Sequence, residues 1–252
     1  MNILVVGGGA REHVLCDAVT RSTNVKLFSV MKNLNPGIEQ MAEDYLLETE
    51  THIDQVVTYA QSHNIDIALI GPEAPLDQGL VNALHNQNIP CCAPTKEAAR
   101  IETDKEWMRN LLTKHHIDGQ LRYQTCTDSA TAQQFIDELQ GNVALKPIGL
   151  TGGKGVKVAG DHFTGTKEAL DYVNEVIRNK IGGAEKILIE EKAIGEEFTL
   201  QAFSDGNHIV TLPAVQDHKR LLPGIKDQIP EVWDRIPVQM DCFHFSPKQN
   251  IK

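Results

Sequence analysis

The sequence predicts an α/β protein, with an N-terminal parallel sheet covered by helices and a smaller α+β unit after it. Three observations predict this fold class. Apolar runs alternate with helical stretches over residues 1–100, helices and strands are mixed over residues 101–190, and a glycine-rich loop separates two apolar runs near residue 150. Residues 221–252 contain four prolines and no clear period, so they continue neither pattern.

Composition argues against several classes of protein. The chain has 252 residues, 41% of them apolar, and its formal net charge of −10 would repel nucleic acids and anionic membrane surfaces. No apolar run approaches the ~20 residues of a membrane span, and the N-terminus lacks a signal-peptide pattern. The cysteines show no C-x-x-C spacing, so we expect a cytoplasmic protein without a disulfide framework. They are Cys16, Cys91, Cys92, Cys126 and Cys242.

The first hundred residues predict the parallel sheet. Between the strands lie helical patterns at Glu12–Thr20 and His52–His63. Ligands of such sheets gather at the carboxyl ends of the strands. The loops GGGAREH (7–13) and GPEAPL (71–76) follow strands at that edge, so we expect them to line a site. The predicted strands are Ile3–Val6, Val25–Val30, Ile67–Ile70 and Ile89–Cys92.

The pattern of residues 101–190 predicts helices packed on a sheet that contains an antiparallel pair of strands. The strands on either side of the glycine loop form that pair, which could fold over a nucleotide as a flap. The predicted helices are Asp104–His115, with Thr103 as N-cap, Ser129–Leu139 and Thr166–Asn179. The predicted strands are Leu121–Thr125, Val143–Pro147, Gly155–Ala159 and Lys186–Glu190.

The loop Gly149–Gly155 indicates phosphate binding, because its backbone N–H groups carry little steric bulk. It is not the G-x-x-x-x-G-K-[ST] loop: it is one residue short, Gly155 replaces Ser or Thr, and a strand follows it. Lys146 and Lys154 could direct their charges at the same phosphate. The alternative is a glycine-rich hairpin turn with solvated lysines.

Acidic residues follow the last predicted strand in ILIEEKAIGEEF (187–198). Neighbouring strand residues point to opposite faces, so one member of the pair Glu190 and Glu191 can face a cleft. The same holds for Glu196 and Glu197. Carboxylates accept hydrogen bonds from sugar hydroxyls and from an adenine amino group. The alternative is a solvated acidic hairpin.

The turn GGGAREH resembles a dinucleotide fingerprint but fails it, because Glu12 stands where the last glycine belongs. The second strand also lacks a terminal acid for a ribose, so NAD binding is disfavoured. Arg11 and His13, at the start of a helix, could instead receive a phosphate or carboxylate. The alternative is that both are surface groups over a tight turn.

Two further charged segments are candidates. Glu73 follows a strand between Pro72 and Pro75, which would stiffen the loop and fix its carboxylate. The segment DHKR (217–220) concentrates cations that suit an anionic substrate or phosphate transfer. Either segment taken alone would more often be an exposed charge cluster.

Six motifs follow one another in the order and spacing of the phosphoribosylamine–glycine ligase family of purine biosynthesis, which the chain resembles from residue 1 to about residue 220. They are GGGAREH, GPEAPL, APTKEAARIETDKEWM, ALKPIGLTGGKGV, ILIEEKAIGEEF and QDHKR. The resemblance implies a Rossmann-like N-terminal domain (1–101) and an incomplete ATP-grasp domain. The latter would comprise a flap subdomain (102–190) and the start of a second subdomain (191–220), before an aberrant tail (221–252).

The resemblance also implies site residues. The residues implied for ATP are Lys105, Lys146, Gly149, Gly152, Gly153, Lys154, Gly155, Glu190, Glu191, Lys192, Ala193 and Glu197, the last for the ribose. Those implied for the substrates, glycine and 5-phosphoribosylamine, are Gly9, Arg11, Glu12, His13, Glu73 and Pro75. Asp217, His218, Lys219 and Arg220 are the catalytic candidates. The family would use ATP with Mg²⁺ or Mn²⁺. Another ATP-grasp purine ligase and a non-catalytic ATP-binding protein are the alternatives.

The chain departs from that family after QDHKR. The family typically continues LLEGDKGPNTGGMGSY, whereas this chain reads LLPGIKDQIPEVWDRI. Suitable codons for DKGPNTGGMGS, read one base later, translate to Ile225 through Arg235 in order. We therefore expect a one-base frameshift near Gly224, in the gene or in its reading, with Ile225–Lys252 out of frame. The family's metal ligands would lie beyond that point, so we assign none and expect activity to be lost or impaired.

Overall fold

A computed structural model of the chain describes residues 1–153, 155–195 and 197–216. These residues form two larger sheets, one built from residues 2–92 and the other from residues 123–191, and two short hairpin sheets after them. Predictions for the following residues lie outside the described part and stay predictions: Lys154, Glu196, Asp217, His218, Lys219, Arg220 and the tail 221–252.

The first sheet is parallel throughout, with the strand order β3-β2-β1-β4-β5. Its strands are β1 (Asn2–Val6), β2 (Lys26–Met31), β3 (Asp44–Leu47), β4 (Ile67–Ile70) and β5 (Cys91–Cys92). The predicted parallel sheet is therefore confirmed, with β3 as an additional strand. The order reverses between β1 and β4, which places a crevice between the loops that follow these two strands.

Helices cover both faces of this sheet. They are α1 (Ala10–Thr20), α2 (Pro36–Met41), α3 (Ile53–Ser62), α4 (Glu73–Asp77), α5 (Leu80–His85) and α6 (Lys96–Thr103). Leu4 and Val6 of β1 are buried in one apolar cluster, whereas Val5 packs on the other side with Cys16 and Ile38. This two-sided burial explains why the strands read as continuous apolar runs.

The second sheet is antiparallel, with the order β6-β9-β7-β8. Its strands are β6 (Tyr123–Cys126), β7 (Val143–Pro147), β8 (Lys157–Val158) and β9 (Ile187–Glu191), and the helices are α7 (Lys105–Lys114), α8 (Ser129–Glu138) and α9 (Thr166–Asn179). The predicted antiparallel pair around the glycine loop is confirmed as β7 and β8. Residues of α8 and α9 pack against Val143, Leu145, Ile187 and Ile189 on one face.

Two local predictions were wrong. Thr103 does not cap α7: it is the buried last residue of α6, and Asp104 is the cap, accepting a hydrogen bond from the Trp107 amide at 2.9 Å. The segment after β4 is not an extended loop, because Glu73 begins the helix α4 and Pro75 lies inside it. Proline is tolerated there because the first turn of a helix leaves its N–H groups unpaired.

The remaining described residues form two hairpin sheets, in which β10 pairs with β13 and β11 with β12. These strands are β10 (Phe198–Thr199), β11 (Ala202–Ser204), β12 (Ile209–Thr211) and β13 (Val215–Gln216). Their apolar side chains are largely exposed; Phe203, for example, is 62% exposed. Within residues 1–153, 155–195 and 197–216, no helix has the length and apolar character needed to cross a membrane.

Candidate functional site

Strand alternation turns Lys146 and Glu190 away from the buried core of the second sheet. The neighbouring residues Leu145 on β7 and Ile189 on β9 point into the core. The register pairs Lys146 with Leu188 and Ala144 with Glu190. Lys146 and Glu190 are therefore diagonal neighbours on the same face of the sheet. This face carries the charged residues that the sequence singled out.

Helix α7 brings two more cations to these residues, because Lys105 and Arg109 are one helical turn apart. The Nε–H of Arg109 donates to Glu190 Oε1 at 2.7 Å, and the Lys146 ammonium donates to Oε2 at 2.6 Å. The Glu190 side chain is 1% exposed, Arg109 12% and Lys146 26%. One buried carboxylate is thus shared by two cations.

Charges and burial act on the pKa values in this cluster. Burial alone would raise the pKa of Glu190, but hydrogen bonds and charges from Arg109 and Lys146 outweigh it and lower the pKa below its ordinary value. Burial is the main cause that lowers the pKa of Lys105, and the charge of Lys146 lowers it further. The carboxylates of Glu102, Glu190 and Asp104 offset part of this shift. Among Lys105, Lys146, Arg109 and Glu190, three side chains are cationic and one is anionic, a balance that suits a phosphate.

Lys105 also anchors the first stem of the glycine loop. Its ammonium donates to the carbonyl oxygens of Ile148 at 3.3 Å and Gly149 at 2.9 Å. The Gly149 amide donates to the Gly182 carbonyl, and a Cβ on Gly149 would lie 2.5 Å from that oxygen. Only glycine fits this close approach.

Tyr172 of α9 holds the second stem. Its buried hydroxyl donates to the Gly155 carbonyl at 2.7 Å, and the Lys157 ammonium lies 3.8 Å from the centre of its ring. Between the stems, Gly152 and Gly153 have positive φ angles of 61° and 78°, and a Cβ on either would meet nothing within 4 Å. Their backbone can therefore approach a ligand closely.

The segment Glu190–Ala193, which is predicted to bind adenine, forms backbone hydrogen bonds to neighbouring segments. The amides of Glu191 and Lys192 donate to the carbonyls of Arg122 and Asn142, both at 2.9 Å. The Lys192 ammonium donates to the Ala159 carbonyl at 2.7 Å, so this side chain supports the end of β8. Ala193 and Glu197 are exposed.

At the edge of the first sheet, the predicted loops do meet. Gly9 donates its amide hydrogen to Glu12 Oε2 at 2.8 Å, and Glu12 is 4% exposed. A Cβ on Gly71 would lie 2.0 Å from the other oxygen of Glu12, so this carboxylate fills the space between the two loops. Arg11 and Glu73 form an exposed ion pair of 3.5 Å across the same crevice.

His13 and Pro75 lie differently from these residues. A Cβ on Gly37 would be 2.1 Å from Cε1 of His13, so the imidazole packs against the start of α2. Pro75 is buried within α4. The crevice therefore has Arg11 and Glu73 as its accessible charged groups among the predicted substrate residues, with Glu12 enclosed beneath them.

A cavity of about 690 Å³ lies beside the first loop stem, away from Glu190. Three of its charged side chains are in ion pairs: Arg100 pairs with Asp104 at 3.0 Å, and Lys186 pairs with Glu106, which does not line the cavity. The cavity is lined by Asp77, Lys96, Glu97, Arg100, Thr103, Asp104, Ile148, Gly149, Leu150, Gly182, Gly183, Ala184 and Lys186.

Arg109, Gly182 and Tyr172 were not predicted from the sequence. For Arg109 a signal existed, since it follows Lys105 by four positions on one helix. Nothing local marks Gly182 or Tyr172, because their partners are in the glycine loop, far along the chain. Arg109 is the most important of the three, because it completes the charged cluster.

Two protein-family models match the chain. Residues 1–102 match the family described as phosphoribosylglycinamide synthetase, N domain, and residues 103–230 match phosphoribosylglycinamide synthetase, ATP-grasp (A) domain. The chain belongs to the phosphoribosylglycinamide synthetase family. The resemblance of the six motifs is thereby confirmed.

Several curated relatives of the chain are named phosphoribosylamine–glycine ligase. The chain is 48% identical over 224 residues to the protein of Methanothermobacter thermautotrophicus. This alignment covers 89% of this chain and 51% of the relative. It is 48% identical over 225 residues to that of Methanosarcina acetivorans, covering 89% and 50%. The chain thus spans about half the length of the curated relatives it matches.

Solved structures share the fold. The phosphoribosylamine–glycine ligase of Thermotoga maritima gives a TM-score of 0.69 at 19% identity, over 89% of this chain and 52% of that one. The biotin carboxylase domain of Hydrogenobacter thermophilus 2-oxoglutarate carboxylase, solved with MgADP, gives 0.68 at 15% identity, over 84% and 49%. The N-terminal parallel sheet followed by an ATP-grasp domain is therefore the fold of this chain.

Proposed function

We propose that the charged cluster of this chain binds the phosphates of ATP. The chain would serve the ATP-dependent joining of glycine to 5-phosphoribosylamine, with this activity lost or impaired because Ile225–Lys252 are out of frame. The proposal is supported by the buried carboxylate of Glu190, shared by Lys146 and Arg109. Lys105 adds a third cation and touches the stem of the glycine loop. A net positive site beside an open, glycine-rich backbone suits a triphosphate.

The reaction would proceed in two steps. A carboxylate oxygen of glycine attacks the γ-phosphorus, the bond to ADP breaks, and glycyl phosphate forms. The amine of 5-phosphoribosylamine then attacks the acyl carbon, loses a proton, and inorganic phosphate leaves, giving glycinamide ribonucleotide. Phosphorylation is needed because a free carboxylate has no usable leaving group.

The protein would contribute position and charge rather than covalent chemistry. Lys105 and Lys146 would neutralise the phosphates, and the loop 149–155 would cover them and exclude water from glycyl phosphate. We propose that the crevice with Arg11 and Glu73 receives the amine substrate or glycine. The catalytic roles of Asp217, His218, Lys219 and Arg220 stay predictions.

A divalent cation, Mg²⁺ or Mn²⁺, would supply further charge neutralisation at the phosphates. Within residues 1–153, 155–195 and 197–216, no group of three or more His, Cys, Asp or Glu side chains is placed to hold a metal ion. A cytoplasmic location and the predicted domain limits, with a boundary at residue 101, are likewise proposals.

Binding and turnover of ATP test the function. We expect calorimetric titration to show that the chain binds ATP. The variant Lys146→Met should bind ATP about tenfold or more weakly, since a hydrogen bond to a charged group is lost. Lys167→Met removes an exposed lysine from α9 and is the matched control. A chain that does not bind ATP, or a Lys146 variant that binds normally, would refute the proposal.

Phosphate release separates the candidate functions. Release that requires both glycine and 5-phosphoribosylamine, with glycinamide ribonucleotide identified by mass, supports the ligase. Binding of ATP without amine-dependent turnover favours a non-catalytic protein. Turnover with another carboxyl or amine substrate, but not with glycine, favours a different ATP-grasp purine ligase.

We infer that the segment after Gly224 is read out of frame, because suitable codons for the family-like DKGPNTGGMGS, read one base later, translate to Ile225 through Arg235. Sequencing the gene across codons 218–230 and measuring the intact mass of the protein test this. If the nucleotides after codon 224, read one base earlier, do not encode a sequence like DKGPNTGGMGS, the inference is contradicted. If they do, an intact mass that includes Ile225–Lys252 places the shift in the gene, and a mass that lacks them places it in the reading.

A further inference from the structure

Under the proposed function, a bound nucleotide would compete with Glu190 for the Lys146 ammonium. The Lys146 ammonium lies 2.6 Å from Glu190 Oε2 and is thereby largely neutralised. Under the proposed function, that ammonium contacts a phosphate instead. A Glu190 carboxylate left without a partner would be an unpaired charge that is 1% exposed, which is strongly unfavourable.

Arg109 is placed to prevent this. Its Nε–H donates to Oε1, the carboxylate oxygen that Lys146 does not use. Arg109 is 12% exposed and sits on α7, whose start is fixed by the Asp104 cap. Its bond to Glu190 therefore does not need to break when Lys146 moves.

We infer that Arg109 is a positioning residue: it retains the Glu190 carboxylate so that Lys146 can exchange from that carboxylate to a nucleotide phosphate. The inference rests on the proposed function and concerns the same site. It involves no covalent step, only the exchange of one ion pair for another. Arg109 itself does not contact the phosphate.

This role makes a prediction that two other roles do not. If Arg109 acts by retaining Glu190, removing the carboxylate removes the need for Arg109. If Arg109 contacted a phosphate directly, replacing Glu190 would not restore the ATP affinity that is lost when Arg109 is replaced. If Arg109 only stabilised the fold, its replacement would affect ligands with and without phosphate alike.

The experiment compares Arg109→Met, Glu190→Gln and the double variant by calorimetric titration with ATP and, separately, with adenosine. We expect Arg109→Met to weaken ATP binding about tenfold to a hundredfold, the range for hydrogen bonds to charged groups. Adenosine, which brings no phosphate, should bind Arg109→Met as well as it binds the unaltered chain. The double variant should bind ATP nearly as well as the unaltered chain, because Lys146 then has no carboxylate to leave.

Arg21→Met is the matched control, since it removes an exposed arginine whose partner is Asp17 on α1. ATP binding that is as weak in the double variant as in Arg109→Met would overturn the inference. Equal losses for ATP and adenosine would do the same. If the unaltered chain does not bind ATP, the proposed function fails first and the inference falls with it.

Folding of each variant is checked by circular dichroism and by a cooperative thermal transition. If Arg109→Met does not fold, Arg109→Gln takes its place, because the amide keeps a hydrogen-bond donor without the charge. If both Arg109 variants fail to fold and Glu190→Gln does not restore folding, Arg109 is structural and the inference is wrong.

Discussion

Arg109 and Glu190 are 81 positions apart in the chain, and the Nε of Arg109 lies 2.7 Å from Oε1 of Glu190. The pair joins helix α7 to strand β9, so it connects the helix that carries Lys105 to the sheet that carries Lys146. Because Glu190 is almost fully buried, its charge is tolerated only while cations surround it. The pair therefore contributes both to the fold and to the potential of the site.

Replacement of Glu190 by glutamine should destabilise the protein in a pH-dependent way. At neutral pH we expect a loss of about 2 kcal/mol in the free energy of unfolding, the scale for hydrogen bonds to charged groups. The folded-state pKa of Glu190 lies below its ordinary value of 4.5, so its stabilising effect is fully present above that value. The effect is lost as pH falls through the folded-state pKa.

Urea unfolding of the unaltered chain and of Glu190→Gln between pH 3 and pH 8 measures this. The difference in stability should be constant above about pH 5 and shrink below the ordinary pKa. Glu138→Gln is the control, because Glu138 forms an exposed pair with Arg122 at 3.4 Å. A difference that is independent of pH would contradict the role of the Glu190 charge.

Gly71 should not tolerate alanine, although it lies outside the charged cluster. Its Cβ would be 2.0 Å from Oε1 of Glu12, and Glu12 is held by the Gly9 amide. We expect Gly71→Ala to lower the free energy of unfolding by about 1–3 kcal/mol, as overpacking does elsewhere.

Denaturant unfolding of Gly71→Ala, Glu12→Ala, the double variant and a control tests this explanation. Gly195→Ala is the control, since a Cβ there would meet nothing within 4 Å. Combining Gly71→Ala with Glu12→Ala should cost less than the sum of the two changes, because the second removes the atoms that clash. Additive losses would indicate that Gly71 is required for another reason.

The regular elements of the fold were predictable from the sequence. The bounds of Ile67–Ile70, Val143–Pro147 and Thr166–Asn179 agree residue for residue with the prediction. Long elements buried on one or two faces carry a clear period. The short strand Asp44–Leu47 and the short helix Pro36–Met41 were missed, because such segments are set by pairing and packing with distant residues.

The site was predictable in part. Lys146 and Glu190 were named from strands, Lys105 by resemblance to a family, and the structure brings all three together. Arg109 was missed because a single arginine on an amphipathic helix is usually solvated, and its partner lies in a strand far along the chain. Local pattern could not show that a carboxylate between them was buried.

Asp104 should be the N-cap whose loss weakens helix α7. Its side chain accepts a hydrogen bond from the Trp107 amide at 2.9 Å. Asp104→Ala should therefore lower the free energy of unfolding by about 1 kcal/mol, whereas Asp104→Asn should cost little, since asparagine caps equally well. Thermal or urea unfolding distinguishes the two. Equal losses for alanine and asparagine would assign the effect to the Arg100 ion pair instead.

Cysteine reactivity should follow burial. Burial raises the pKa of Cys16 to about 12 and those of Cys91 and Cys126 to about 11, whereas Cys92 is exposed. Because the thiolate is the reactive form, Cys92 should be alkylated first among the cysteines of the described residues.

Peptide mapping after timed treatment with iodoacetamide at pH 8 gives the order. In the Cys92→Ser variant, the cysteine modification that appears first within residues 1–153 should be absent. The slow alkylation of the other cysteines there should be unchanged. Unfolding in urea should abolish the differences, since every thiol then has an ordinary pKa. Early labelling of Cys16 in the folded protein would mean that α1 opens away from β1, because Cys16 is otherwise enclosed by Val5, Met31 and Ile38.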